Sequence, residues 1–315
     1  MKIAFVFSGQ GAQAAGMGKT LYDNFDVCRK TFDEADEALG FSLTKLCFEG
    51  GTALNDTEYA QPAILTHSMA AYRLLAENSG TPAYAAGLSL GEYSALMAAG
   101  VFGFTDAVRL VRARGRFMAE AVPAGMGAMS AILGLSEELT EQACAEFTSE
   151  TESVICANYN APGQLVISGA TSAVERAESL CLAAGAKRAV RLQVSGPFHS
   201  AYMRPAADKL APLLGDMPMR EFSFPVVTNV NAEIIPCAAA VPALLLQQIQ
   251  SPVLWSQSVQ MICALGVDTF IELGPGRTLS ALVKKCAPGV RIYNVEDTVS
   301  FAKTMAALQE SEGQE

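Results

Sequence analysis

Tyr84-Ala-Ala-Gly-Leu-Ser-Leu-Gly-Glu92, continued by Tyr93-Ser-Ala-Leu-Met-Ala-Ala99, holds the signatures of a strand, a turn and a helix in one short stretch. Tyr84–Leu88 is a short apolar run of the kind that buries as a strand, and Gly91–Ala99 is helical in composition. Between them, Gly87-x-Ser89-x-Gly91 supplies the small residues that a strained strand-to-helix turn requires. Such a turn lifts a serine above the sheet edge and sets the helix N-terminus behind it. Backbone N–H groups and a partial positive charge then lie where an oxyanion would form. A five-residue match also arises by chance, and a tight turn with a capping serine is the plain alternative. The strand and helix on either side favour a nucleophile at Ser89.

The same rhythm extends outward. Ile3–Phe7 reads as a buried strand, 60–79 as a long helix opened by Gln61-Pro62, and 105–122 as another helix. On the last, Val108, Val111 and Gly115 share a face, and Arg109, Arg112 and Arg116 recur at helical spacing. Apolar strands alternating with helices predict an α/β fold whose parallel sheet is covered on both faces. From about Gly125 the pattern changes. Strand 129–135, helix 136–147 capped by Ser136, strands 154–160 and 164–169 around Ala161-Pro-Gly163, helix 172–184 and strand 188–194 follow in order. This β-α-β-β-α-β sequence is the ferredoxin-like arrangement. It predicts a small subdomain over 125–195 inserted into a large α/β subdomain built from 1–124 and 196–315. The large unit closes with strand Thr269–Leu273, the loop Gly274-Pro-Gly276 and helix 278–285, and the last dozen residues are expected to fray.

Composition bounds the class. Half of the 315 residues are hydrophobic and 17% are charged, which suits an enzyme with a large core. A net charge of −10 argues against nucleic acid as the main partner. Eight scattered cysteines without a Cys-x-x-Cys pair read as reduced, buried thiols. With no secretory leader and no long apolar run, the expectation is a cytoplasmic protein that does not enter the membrane.

A serine nucleophile needs a base, and the chain has only two histidines, His67 and His199. His67 falls within a predicted helix, where a buried structural role is favoured. His199, in Gly196-Pro-Phe-His-Ser200, follows the last strand of the small subdomain, and loops at such junctions gather catalytic groups. No triad acid is evident, because Asp106 is the only aspartate between Ser89 and His199. A Ser–His dyad is therefore expected, with the imidazole oriented by something other than a carboxylate. In the opening loop, Gly9-x-Gly11-x-x-Ala14 passes a loose dinucleotide fingerprint, and Asp33 lies about twenty residues on. Against that reading, Gly16 and Gly18 extend the glycines past the expected helix start, and a nicotinamide site leaves the Ser89 turn unexplained. As an oxyanion loop, the glycines let the backbone and the Gln10 amide approach a reacting carbonyl.

Taken together, Phe7-Ser-Gly-Gln-Gly-Ala-Gln13, Gln61-Pro-Ala-Ile64, Gly87-x-Ser-Leu-Gly-Glu92, Arg114-Gly115, Asn160-Ala-Pro-Gly-Gln164, Gly196-Pro-Phe-His-Ser200, Ser251-Pro-Val253 and Glu272-x-Gly-Pro-Gly276 closely resemble the malonyl-CoA:acyl carrier protein transacylases. The resemblance spans nearly the whole chain and extends more distantly to the acyltransferase domains of polyketide synthases. It implies an α/β-hydrolase-like large subdomain with the ferredoxin-like insertion. It also implies malonyl transfer to acyl carrier protein for fatty-acid synthesis, with polyketide synthesis as the alternative destination. No cofactor is implied, and a monomer is. By the same resemblance Ser89 is the nucleophile, His199 the base, and the N–H groups of Gln10 and Leu90 the oxyanion hole. Arg114 would grip the malonyl carboxylate, which an acetyl group lacks. The alternative for Arg114 is a solvated helix face, which Arg109, Arg112 and Arg116 fit better. Gln248, or its neighbour Gln247, would orient His199 through its carbonyl, and Phe198, Met118 and Asn160 would line the substrate pocket. Leu88 departs from the pattern, since the family usually has histidine there.

Carrier proteins of this kind are acidic, so docking calls for a local basic patch, for which Lys187, Arg188, Arg191, Lys284 and Lys285 are candidates. A serine thioesterase or esterase with the same turn is the main rival, disfavoured by Arg114 and the missing acid. A non-catalytic interaction module is the second.

Overall fold

Continuous apolar runs become the central strands. The computed structural model describes residues 1–149 and 151–312. Its strands are β1 (Ile3–Phe7), β2 (Tyr84–Gly87), β3 (Gly127–Leu133), β4 (Val154–Ala161), β5 (Gln164–Ala170), β6 (Arg188–Arg191), β7 (Val226–Val227), β8 (Thr269–Leu273) and β9 (Arg291–Val295). Five of them form a parallel sheet in the order β7-β2-β1-β8-β9. The chain thus lays β2 and β7 on one side of β1, then crosses to lay β8 and β9 on the other. β1 and β8 are buried on both faces between helices, which is why neither alternates polar with apolar residues.

Register decides where the site can lie. Phe7 pairs with Gly87 on one side and with Leu273 on the other, so β1, β2 and β8 end level. The loops that follow them leave the sheet side by side, at the edge where α/β sheets open to ligands.

The remaining strands, β3 to β6, form an antiparallel sheet in the order β4-β5-β3-β6. That order and the two intervening helices, Glu137–Glu146 and Thr171–Ala183, make the ferredoxin-like pattern. One face carries Ile132, Leu165 and Ile167 against those helices. The other puts Met129, Ala157 and Val166 into the main core. The edge strand β4 is tied to the large unit by Tyr159 N–H to the Val253 carbonyl (2.9 Å) and Val253 N–H to the Ala157 carbonyl (2.8 Å).

Several bounds differ from expectation. The helix expected from residue 60 is Thr57–Ser79, because the amides of Tyr59 and Ala60 already bond the Asp56 carbonyl. Pro62 therefore lies inside it and forfeits one helical hydrogen bond. β6 stops at Arg191. The tail expected to fray is helical from Thr298 to Glu312, and 313–315 lie outside the described residues. All eight cysteines are unpaired, but Cys237 is exposed and Cys263 and Cys286 are half-buried, so burial holds for only five. Among the described residues, no helix is long and apolar enough to cross a membrane.

Candidate active site

Ser89 is separated from the end of β2 only by Leu88, at φ 54° and ψ −100°, and helix Leu90–Ala98 starts at the next residue. Only glycine fits on either side of this elbow. A Cβ on Gly87 would overlap the Gly91 backbone, and one on Gly91 would overlap the Phe7 carbonyl. The strained serine is held from both sides: its N–H donates to Asn229 Oδ1 (2.7 Å), and its carbonyl accepts from Gln248 Nε2 (2.9 Å).

His199 reaches the same point from the segment returning from the antiparallel sheet. Its Nε2 lies 2.7 Å from Ser89 Oγ and its Nδ1 2.9 Å from the Gln248 carbonyl. A carbonyl can only accept, so Nδ1 carries the proton and the Nε2 lone pair faces the serine hydroxyl. Burial, aided by the Arg114 charge, pushes the imidazole pKa down to about 4, which leaves the ring neutral at pH 7. Three non-glycine residues have positive φ among those described, and Ser89 and His199 are two of them. Such strain costs about 1–3 kcal/mol per residue and persists where surrounding structure enforces it.

Arg114, on helix Phe104–Glu120, is 1% exposed. Its Nη1 donates to Gln61 Oε1 (2.8 Å), and its Nη2 to Ser89 Oγ (3.1 Å) and Gln248 Oε1 (3.2 Å). The guanidinium lies 5.1 Å from the Tyr93 ring centroid, and its Nε has no partner. A buried cation with an unmet donor and no carboxylate in hydrogen-bond contact among the described residues can take an anion. The solvated face belongs to its neighbours: Arg109 and Arg116 are exposed, and Arg112 pairs with Glu58 at 3.0 Å.

The amides of Gln10 and Leu90 donate to no protein acceptor among the described residues. Gln10 is steadied through its side chain, with Nε2 donating to Thr57 Oγ1 (3.1 Å), which in turn meets Ser195 Oγ (3.1 Å). The first helix after β1 begins only at Lys19, so no helix N-terminus backs Gly9 and Gly11 as a dinucleotide site would need. Gln248 is buried and Gln247 exposed. Met118 is buried with its sulfur 3.6 Å from Gln61 Nε2, beside Arg114's partner. Phe198 is buried next to His199, and its carbonyl accepts from Ser168 Oγ on β5 (2.7 Å). Asn160, near the end of β4, makes no hydrogen bond to Ser89, His199 or Arg114 among the described residues, and its Oδ1 is unpartnered. Leu88 lies against Gly9 and packs on the apolar cluster of Val227, Val253 and Trp255. Its contacts there are those of hydrocarbon, where the resemblance to the transacylases leads one to expect an imidazole.

His67 is buried with Nε2 2.9 Å from the Glu296 carbonyl, and burial lowers its pKa to about 4. It makes no hydrogen bond to Ser89 or His199. Of the basic candidates, Lys187, Arg188 and Lys285 lie at one end of the small sheet. Leu133 pairs with both Gln164 and Arg188, and Lys285 donates to Gln164 Oε1 (2.8 Å). Arg191 is instead bound to Glu178 through two bonds of 3.1 and 2.8 Å. Among the described residues, no group of three or more His, Cys, Asp or Glu side chains could hold a metal ion.

Sequence reasoning missed Asn229 and gave no role to Glu92 or Gln61. Gln61 opens Gln61-Pro-Ala-Ile64 and Glu92 closes the Gly87–Glu92 stretch, and that placement is the signal in the sequence. Nothing around Asn229 marks it, because its place is set by the strand pairing of β7 with β2.

The acyl transferase domain family matches residues 4–306. A malonyl CoA-acyl carrier protein transacylase of Bacillus subtilis is 47% identical over 310 residues, covering 98% of each chain. Among solved structures, a malonyl CoA-acyl carrier protein transacylase from Clostridium perfringens superimposes with TM-score 0.95 at 41% identity, covering 100% of this chain and 99% of that one. A malonyl-transacylase solved in complex with its type II PKS acyl-carrier protein gives TM-score 0.94 at 44% identity, covering 98% and 100%.

Proposed function

We propose, for a chain that belongs to the acyl transferase domain family and stands among its malonyl CoA-acyl carrier protein transacylases, that it carries a malonyl group from malonyl-CoA to the phosphopantetheine thiol of acyl carrier protein by a ping-pong route through Ser89. The observation that carries this reading is one oxygen with two neighbours. Ser89 Oγ lies 2.7 Å from the base His199 and 3.1 Å from the buried cation Arg114.

In the first half-reaction Ser89 Oγ bonds to the thioester carbonyl carbon as its proton passes to His199 Nε2. The developing oxyanion is met by the N–H groups of Leu90 and Gln10. Collapse breaks the carbon–sulfur bond, coenzyme A leaves as the thiol with the proton from His199, and malonyl-Ser89 remains. The carrier thiol then repeats the steps in reverse roles, giving its proton to His199 and returning Ser89 as the alcohol. The Gln248 carbonyl keeps the imidazole in the tautomer both halves need and supports the imidazolium as it forms. Arg114 binds the malonyl carboxylate, for which an acetyl group offers nothing. Leaving that guanidinium uncompensated penalises uncharged acyl groups by several kcal/mol, on the order of 10²–10⁴ in rate.

The test uses malonyl-CoA without carrier protein. Intact mass is expected to show one malonyl group on the protein, absent in Ser89→Ala, with slow release of malonate. Rapid turnover to malonate would instead make the protein a thioesterase.

The carrier is proposed to dock where Lys187, Arg188, Lys284 and Lys285 are exposed around one end of the small sheet. Arg191 contributes least, since Glu178 already neutralises it.

A further inference from the structure

Besides the helical bond from the Glu92 N–H to the Ser89 carbonyl (3.2 Å), the two side-chain bonds that fix the Ser89 backbone lead back to one carboxyl group. Asn229 and Gln248, which hold the serine N–H and carbonyl, also donate to Glu92 Oε2, from the Asn229 main-chain N–H at 3.0 Å and from Gln248 Nε2 at 2.8 Å. Glu92 is fully buried in the first turn of the helix behind the elbow. Its carboxyl makes no hydrogen bond to Ser89 Oγ, His199 or Arg114 among the described residues; it acts on Arg114 through its charge and on the Ser89 backbone through Asn229 and Gln248.

The Gln248 amide lies between the Arg114 guanidinium and the carboxyl of Glu92, whose pKa burial raises. Its oxygen accepts from Arg114 and its nitrogen donates to Glu92. The two ends of a primary amide have nearly the same shape, so packing alone leaves two orientations open. A cation at one end and a carboxylate at the other select one. In the flipped orientation the NH₂ would face the guanidinium, and the oxygen would face both Glu92 and the Ser89 carbonyl. The selected orientation gives the Ser89 carbonyl a second donor beside the Glu92 N–H and holds Arg114 Nη2 toward the nucleophile, while the main chain of the same residue receives His199.

We propose that Glu92 is a positioning residue for the transfer: through Gln248 and Asn229 it fixes the strained serine backbone and the aim of Arg114 before substrate arrives. The inference rests on the reading of Ser89, His199 and Arg114 under Proposed function. A carboxylate serving only to complement its helix N-terminus would stabilise the fold and leave acyl selection untouched.

Glu92→Gln keeps the shape and removes the charge, leaving an amide that can meet Gln248 with either end. The measurement is kcat/KM for acylation of Ser89 by malonyl-CoA and by acetyl-CoA, in the wild-type and Arg114→Ala backgrounds, with the melting temperature of each variant. In the wild-type background the preference for malonyl is expected to fall at least about fivefold in Glu92→Gln with the fold intact. In the Arg114→Ala background the same change moves the preference by less than about twofold, because no guanidinium remains to be aimed. Glu92→Asp retains the charge one methylene short of its partners and is expected to shift the preference in the same direction. A folded Glu92→Gln with wild-type preference, or an equal loss with and without Arg114, overturns the proposal. Unchanged preference in Arg114→Ala itself overturns the reading of Arg114 on which the proposal stands.

Discussion

Acylation of Ser89 is expected to persist further into acid than an ordinary histidine base allows, and removal of Arg114 is expected to erase part of that reach. Burial first and the Arg114 charge second bring the His199 pKa to about 4, from an unperturbed value near 6.5. A general base works in its neutral form, so a depressed pKa keeps it competent until the pH falls through the lowered value. The depression amounts to roughly 3 kcal/mol at 1.36 kcal/mol per unit. Arg114, as the second cause, supplies the smaller part, and Arg114→Ala should move the acid limb up toward the ordinary histidine value by less than half of the full depression. The assay is the rate of acetyl-Ser89 formation from p-nitrophenyl acetate between pH 4 and 8, with circular dichroism at each pH to confirm the fold. That ester has no carboxylate, so Arg114 enters through its field on the imidazole and not through gripping the substrate. A wild-type limb at or above pH 6.5, or a downward shift in Arg114→Ala, would refute the reasoning. With malonyl-CoA the substrate carboxylate neutralises Arg114, so the acid limb of kcat should lie above that of kcat/KM.

His67 and His199 are both buried with lowered pKa values, so between pH 6.5 and 4 the unfolded chain binds protons that the folded one refuses. Their stabilisation is full above pH 6.5 and is lost as the pH falls toward 4, by at most about 1.4 kcal/mol per unit for each histidine. Urea unfolding of His67→Leu at pH 6.5, 5.8 and 5 should show a clearly shallower pH slope than wild type; an equal slope counts against the burial argument. Gly91→Ala forces a methyl group into the Phe7 carbonyl and should cost about 3 kcal/mol or more along with activity, so a variant of wild-type melting temperature would contradict the elbow geometry. Charge reversal at Lys187 and Arg188 should raise KM for carrier protein severalfold while leaving KM for malonyl-CoA unchanged. An unchanged carrier KM removes those two residues from the docking surface.

Local chemistry made much of this legible in the chain. Apolar runs gave β1, β2 and β8 because fully buried parallel strands have no polar face to confuse them. Two histidines among 315 residues left little choice of base. β7 was invisible, since two residues carry no periodicity and only pairing with β2 makes Val226–Val227 a strand. Asn229 was lost with it. The absence of a triad acid could be read, but not why it is dispensable: the Gln248 carbonyl reaches His199 from a helix far along the chain. Arg114 and its surface neighbours look alike in sequence, and only the packing of its helix against Thr57–Ser79, where Gly115 admits the Thr57 carbonyl, separates a buried arginine from solvated ones.

The level ending of β1, β2 and β8, with the imidazole support arriving from residue 248, also has a meaning in time. A chain growing on the ribosome presents the serine early, its base much later, and the carbonyl that fixes that base later still. β1 waits longest, because its second neighbour, β8, begins at Thr269. On the reading given under Proposed function, Ser89 is therefore expected to stay an ordinary alcohol until those residues emerge. A fragment cut short between 199 and 248 has the imidazole without the carbonyl that fixes it, and is expected to be acylated far more slowly than the full chain.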